Sequence, residues 1–314
     1  MLVHPRSTCS SSDVTINSSR TENMDDVIVR MAYLSDVSGH SSKMGRLLHD
    51  SPDVPDLVEA VDRLFDRMNI SSNAPLSKYI TEIERMRKED ISILHFFSRE
   101  FPQPLREIED PPLLLYLKGR AGDFSKCIAM SGSRDPSSRG HRAAREVSAD
   151  LSKEGLTIVA GFARGIDLDA HQGALEAGGR TFAVLPSSIL DIYPKEHARM
   201  ADDIVERGML ISEMSSLERM NKLSFIRRNR ITTGLSQCLV IGESDGTGGT
   251  LQQFNIARKQ GRPVFVIRPD EQDRHAMRGF SRFTKDGAVP VDDARDVLEG
   301  LRKTSRGQVT LGDF

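Results

Sequence analysis

The chain has 314 residues, 38% hydrophobic and 28% charged, enough for one or two globular domains. Its formal charge of −2 excludes a uniformly basic nucleic-acid coat while leaving room for a local basic patch. Cys9, Cys127 and Cys238 stand apart, with no Cys-x-x-Cys and no Cys/His pairing, which argues against a zinc site or a disulfide framework. No apolar run approaches the roughly 18–20 residues of a membrane span, and the Ser-rich start has no apolar signal-peptide core. A soluble, cytoplasmic protein is expected.

Residues 1–24 are polar and Ser/Thr-rich and are expected to be disordered, with a processed leader as the alternative. Residues 25–97 carry helical spacing without strand alternation. Leu57, Val61, Leu64, Phe65 and Met68 share one helix face, with Pro55 just ahead. Ile80, Ile83 and Met86 suggest a second helix, and the whole reads as a small helical domain. Residues 98–125, punctuated by Pro102, Pro104, Pro111 and Pro112, read as a connector.

From Lys126 short apolar runs alternate with amphipathic helices. Cys127–Met130, Leu156–Ala160, Thr181–Leu185, Met209–Ile211, Leu239–Ile241 and Val264–Ile267 are predicted to be buried parallel strands. Val291 and a helix over Ala294–Leu301 close the domain, 126–301, and 302–314 is expected to be a tail. The fold class is α/β, a doubly wound parallel sheet preceded by the helical domain.

In such sheets ligands bind beyond the carboxyl ends of the strands, near helix N-termini. Five segments are predicted to sit there. Gly132-Ser133-Arg134 offers close backbone approach, a hydroxyl and a forked cation for phosphate, or a plain tight turn. Arg164 and Gly165 lie where a strand becomes a helix, followed by Asp167 as a cap and His171 one turn on. A neutral structural role suits His171 better than a catalytic one, because no nucleophile partner can be placed beside it. Lys195, next to Pro194, projects toward the same rim or into solvent.

The fourth segment, Leu217–Arg230, holds Arg219, Lys222, Arg227, Arg228 and Arg230 against Glu218, a local charge of +4 suited to a polyanion. Asn229 lies within it, and Phe225 either stacks on a base or is buried. The fifth, Gly246-Thr247-Gly248-Gly249-Thr250, lies between a predicted strand and a predicted helix, where amides and hydroxyls form a phosphate site. With no acid/base pair, metal cluster or activated nucleophile in these segments, binding is favoured over catalysis, and neither a metal nor a cofactor is expected.

Over roughly Phe101 to Leu301 the sequence resembles the DprA/Smf family of DNA-processing proteins. The resemblance is carried by Phe-Pro-x-x-Leu-Arg-x-Ile-x-Asp-Pro-Pro-x-Leu-Leu-Tyr at 101–116, Gly132-Ser133-Arg134, Ala163-Arg164-Gly165-Ile166-Asp167 with Ala170-His171, Tyr193-Pro194, Ile211-Ser212-Glu213, and Arg228-Asn229-Arg230-Ile231 with Gly234-Leu235-Ser236. It implies an extended Rossmann-like domain that binds single-stranded DNA, often as a homodimer, and that protects incoming strands and loads RecA during natural transformation, the competence pathway of DNA recombination. By motif position it puts Ser133 and Arg134 on phosphate, Lys195 and Lys222 along the pocket, and Arg228 and Arg230 at its extension.

The chain departs from the family pattern at Ile226 after Phe225, at Pro186–Asp191 in place of a glycine-rich stretch, and at Gly248-Gly249-Thr250 with Gln253-Phe254. No winged helix is expected after Leu301. These are the departures of a divergent paralogue.

The alternative is a nucleotide-binding sensor, or a protein like the phosphoribohydrolases, for example in a defence system. The Gly-Gly-Thr loop resembles that of the nucleoside-monophosphate phosphoribohydrolases, but Gln252 and Gln253 stand where those enzymes carry carboxylates, which disfavours hydrolysis. The segment Gln308–Phe314 loosely resembles a sliding-clamp-binding peptide.

Overall fold

The computed structural model describes residues 12–50, 56–71, 76–120 and 122–305. Four helices lead: α1 (Ser12–Ser38), α2 (Ser42–His49), α3 (Leu57–Met68) and α4 (Ser77–Lys88). Helix α1 includes residues 12–24, which were expected to be disordered. No glycine or proline interrupts Ser12–Ser38, and the buried stretch from Val27 to Leu34 anchors the helix in the core. Helix α3 has the predicted apolar face, with Val61, Leu64 and Phe65 buried and Asp56 accepting a bond from the Val58 amide at 2.8 Å.

The sheet begins earlier than expected. Strand β1 (Ser92–His95) lies inside the region read as helical, and β2 (Leu114–Gly119) lies inside the region read as a connector. Both are antiparallel: β1 pairs with β2, and β2 pairs with β6 (Met209–Ser212). The prolines of 102–112 flank β2 without entering it. Its run Leu114–Leu117 is buried on both faces, so it shows none of the alternation by which a half-buried strand is read.

The remaining strands are parallel, and β3 (Cys127–Ser131), β4 (Thr157–Ala160), β5 (Thr181–Val184), β7 (Leu239–Ile241) and β8 (Val264–Ile267) follow the prediction closely, while β9 (Val289–Val291) is a further strand around Val291. The sheet order is β1-β2-β6-β5-β4-β3-β7-β8-β9. After the short α5 (Gln103–Arg106), helices α6 (Ser138–Lys153), α7 (Ile166–Glu176), α8 (Ala198–Arg207), α9 (Lys222–Gly234), α10 (Gly248–Lys259), α11 (Arg274–Lys285) and α12 (Ala294–Ser305) cover the two faces. This is an extended Rossmann-like sheet with a helical N-terminal part. The predicted tail opens as the end of α12, and Gln308–Phe314 lies outside the described residues.

The four leading helices share one hydrophobic core with the sheet. Met31, Leu34, Leu64 and Met86 pack in the same cluster as Leu115, Tyr116, Val184 and Ile211. Polar contacts reinforce this: Glu82 accepts from the Ser216 amide at 2.7 Å. From β3 the chain works outward through β4, β5 and β6, and α9 then returns it to β7 on the other side of β3. The carboxyl ends of β3 and β7 therefore flank the topological switch point, where a crevice opens.

Candidate nucleic-acid interface

Three loops are knitted together at the switch point. The Ser133 amide donates to the Glu243 carbonyl at 2.6 Å, and the Ile166 amide donates to the Ser133 carbonyl at 3.1 Å. Gly165, at φ +82°, lets the loop after β4 touch the loop after β3; a Cβ there would lie 2.3 Å from the Ser133 oxygen. Glu243, just past β7, accepts from the Ser137 amide at 2.7 Å and the Ser137 hydroxyl at 2.6 Å, clamping the start of α6. Sequence reading missed Glu243; its signal was a carboxylate two residues after an apolar strand at the switch.

Helix α9 crosses the crevice. Asn221 accepts from the Leu223 and Ser224 amides while the Ser224 hydroxyl accepts from the Asn221 amide, a capping box that fixes where the helix starts. Phe225, Arg228 and Asn229, spaced i, i+3 and i+4, share the face toward the crevice. The Arg134 guanidinium sits 5.8 Å from the Phe225 ring centroid.

This pair stands in the wall between two cavities. The first, about 430 Å³, is lined by Gly132, Ser133, Thr250 and Gln253 among others. The second, about 410 Å³, is lined by Arg164, Tyr193, Lys195 and Glu196 among others. Both share Arg134, Ala163, Phe225 and Arg228. The second has four cationic side chains, Arg134, Arg164, Lys195 and Arg228, against the single carboxylate of Glu196. Lys195 is 86% exposed, with the similarly exposed Asp191 carboxylate 3.9 Å away, an ion pair weak enough in solvent for a phosphate to replace.

Arg228 is 8% exposed. It donates to the Val184 carbonyl at 3.2 Å and lies 3.8 Å from Asp167. Burial pushes the Asp167 carboxyl above its usual range, and the Arg228 guanidinium opposes that only in part. Gly161 makes the arrangement possible, since a Cβ there would lie 1.6 Å from an Arg228 nitrogen. His171 is fully buried between the Thr181 hydroxyl and the Gly161 carbonyl, each at 2.7 Å. Burial lowers its pKa to about 4, so it is a neutral imidazole that ties β4 to β5.

Other candidates are placed elsewhere. Arg227 and Arg230 lie around α9 from Phe225 and line a different cavity with Glu107 and Asp110. Arg230, 5% exposed, is held by Glu213 at 2.6 Å and Asp110 at 3.1 Å; it is a buried structural cation and not an extension of the groove. The error is one of helical phase, because a residue two beyond Arg228 faces about 200° away. Lys222 is exposed in the first turn of α9, outside the lining of both cavities.

In the glycine-rich loop, Gly249 and Thr250 line the first cavity. Gly246, at φ +79°, instead packs against Gly279 of α11, and its carbonyl accepts from Arg282 at 2.9 Å. Gly248, at φ +59°, turns the chain into α10. Thr247, Ser244, Asp245 and Gln252 join the lining. Asp245 accepts from the Thr247 amide and hydroxyl. Among the described residues no group of three or more His, Cys, Asp or Glu could hold a metal, and no helix is long and apolar enough to cross a membrane.

A doubly wound sheet extended by two antiparallel strands, with an arginine–aromatic pair over its switch point, defines an extended Rossmann-like protein with a cationic binding cleft. Residues 92–302, from the first residue of β1 into α12, match the family model for DNA recombination-mediator protein A. The chain belongs to this family, the DNA-processing proteins DprA or Smf. It is 31% identical to DNA processing protein DprA of Bacillus subtilis over 217 residues, 68% of this chain and 73% of that protein. It is 35% identical to protein Smf of Escherichia coli over 207 residues, 65% of this chain but 55% of that protein.

The structure of DprA from Streptococcus pneumoniae is similar with a TM-score of 0.70 and 29% identity, covering 85% of this chain and 95% of that one. DNA processing protein A from Helicobacter pylori, whose structure is described for its single-stranded DNA binding mode, matches with a TM-score of 0.61 and 26% identity over 68% of this chain and 96% of that one.

Proposed function

We propose that the cleft binds single-stranded DNA and that the protein acts in DNA recombination. The observation that carries this reading is the half-buried Phe225 ring between two cavities with the Arg134 guanidinium across it. An aromatic face offered beside fixed and mobile cations is the arrangement that stacks a base and neutralises its phosphate without reading sequence. The single-strand binding described for the Helicobacter pylori relative supports it. In this reading Ser133, Arg134, Arg164 and Lys195 contact phosphate, and Lys222 guides the strand onto α9.

By family membership we extend the reading to loading of RecA onto the bound strand, to natural transformation as its setting, to a homodimer as the working form, and to the cytoplasm as its place. Binding suits the site better than hydrolysis. Asp167 is engaged by Arg228 and Asp245 by Thr247, and Gln252 and Gln253 have no acid function. A fluorescence-anisotropy titration with a labelled single strand and its duplex tests the reading. Tight binding that favours the single strand supports it; equal weak binding to both overturns it.

A further inference from the structure

Helix α11 runs against two rules of helix electrostatics. It carries Arg274, Arg278, Arg282 and Lys285, with His275 beside the first, and no carboxylate, in a chain whose formal charge is −2. Arg274, Arg278 and Arg282 follow one another at i, i+4 and i+8, a spacing at which like charges destabilise a helix. Arg274 and His275 also stand in the first turn, where the macrodipole disfavours cations. Packing does not ask for this. The inner face is made by Ala276, Gly279 and Phe283, and Phe283 shares a cluster with Val264 and Val266 of β8. Cations gathered at a cost to the helix, on its outer face, mark a site for an anion outside it.

The acids nearby leave the stripe open. Asp273 caps α11, accepting from the His275 and Ala276 amides at 3.0 Å, and Asp270 accepts from the Gln272 amide at 2.9 Å. Glu271 is exposed in the loop before the cap. Arg282 lies 4.0 Å from Asp286 and Arg278 lies 3.6 Å from Asp245, both pairs about half exposed and therefore weak. Arg274 and Lys285 are exposed and form no ion pair among the described residues.

The stripe also runs into the cleft. Gly279 lets α11 lie directly on the glycine-rich loop, since a Cβ there would sit 1.9 Å from the Ser244 carbonyl oxygen. Ser244, Asp245 and Thr247 of that loop line the first cavity, opposite Arg134. Arg278 faces Asp245, a carboxylate on this route, and so offsets the repulsion a phosphate would meet there.

We propose that a single strand held in the cleft continues across the glycine-rich loop onto α11, whose stripe holds the phosphates of nucleotides lying outside both cavities. The inference rests on the reading of the cleft as a single-strand site and adds a second surface to it. Arg274 and Lys285 are about 16 Å apart along the helix at 1.5 Å per residue, the length of several nucleotides at about 3.4 Å per step of a strand. Contacts of this kind position a strand, depend on salt and read no sequence.

The experiment uses the full chain. Anisotropy compares oligothymidylates of about five and about twenty nucleotides, across salt concentrations, for wild type, Arg278→Gln and the double variant Arg274→Gln with Lys285→Gln. Wild type should bind the long strand more tightly than the short one. In the double variant long-strand affinity should fall about tenfold at low salt, with a log–log slope shallower by about 1.4 for two lost phosphates, while short-strand affinity stays. Arg278→Gln should lose about half as much slope. The melting temperatures should not fall, because like charges on one helix face are relieved. An unchanged long-strand affinity, or equal losses for both lengths, overturns the inference. Sedimentation of the variants without DNA completes the test: an altered oligomeric state would make the stripe a contact between copies of the chain and likewise overturn it. Short-strand binding by wild type reports on the cleft alone, so failure of the track is distinguishable from failure of the DNA-binding reading.

Discussion

Arg230 donates to a Glu213 carboxylate oxygen at 2.6 Å, with both side chains buried beneath α9. His40, in the turn after α1, reaches the same carboxylate at 3.2 Å and Glu218 at 2.6 Å. One buried ion network thus joins the helical N-terminal part, the loop after β6 and the helix that carries Phe225 and Arg228 into the cleft. Of the three arginines that make the sequence of α9 look like a DNA-binding strip, Arg228 and Arg230 are buried, and Arg230 works wholly on the inside.

Removing one member of this network leaves buried charge unpaired, which typically costs about 3–5 kcal/mol. Glu213→Gln and Arg230→Ala are each expected to lower stability on that scale in urea unfolding. Arg134→Ala should leave stability within about 0.5 kcal/mol, as for a surface change, while weakening DNA binding.

The network also shapes the pH dependence. Burial alone would lower the His40 pKa, but the Glu213 and Glu218 carboxylates raise it to about 10. Its contribution is therefore complete below about 6.5, the unfolded value, and is lost as pH rises toward 10. Burial would raise the Glu213 pKa, but Arg230 and His40 lower it to about 2; its contribution is complete above about 4.5 and lost as pH falls toward 2. Buried neutral His171, with its pKa lowered to about 4, adds stability present above about 6.5 and lost as pH falls toward 4. Urea midpoints measured across pH should fall on both sides of neutrality. His40→Gln should flatten the alkaline limb and also reduce the part of the acid limb that comes from Glu213, whose pKa His40 helps to lower, while the part from His171 stays.

Gly161→Ala forces a methyl group into the Arg228 guanidinium. Overpacking of this kind costs about 1–3 kcal/mol. The displaced arginine forms a wall of both cavities, so DNA affinity should fall together with the melting temperature. Unchanged affinity in the folded variant would separate Arg228 from the site.

Phe225→Ala removes the ring between the cavities. Base stacking is worth about 1–3 kcal/mol by alanine substitution, so affinity for single strands of any sequence should fall about 5- to 150-fold with the salt dependence unchanged. A loss confined to one oligonucleotide sequence would contradict a stacking role.

The parallel sheet was legible because its strands are short, apolar runs between turn residues, and Leu239–Ile241 and Val264–Ile267 have the predicted limits. Strand β2 was not, because prolines crowd the sequence before it and Leu114–Leu117 is buried on both faces. Among the candidates, Ser133, Arg134 and Lys195 were legible from their place after a strand or beside a helix start, and they line the two cavities of the proposed cleft. Arg227 and Arg230 were misplaced because charge density along a sequence says nothing about helical phase, and the partners of Arg230, buried Glu213 and partly exposed Asp110, lie far off in the chain.

The central claim is that the Arg134–Phe225 side of α9 binds single-stranded DNA while the Arg230 side holds the fold. The most direct measurement is the salt dependence of single-strand affinity for wild type and Arg134→Ala, by anisotropy across a range of salt concentrations. The account predicts weaker binding by the variant at low salt and a log–log slope shallower by about 0.7, one phosphate contact fewer on a single strand. An unchanged affinity and slope would contradict it.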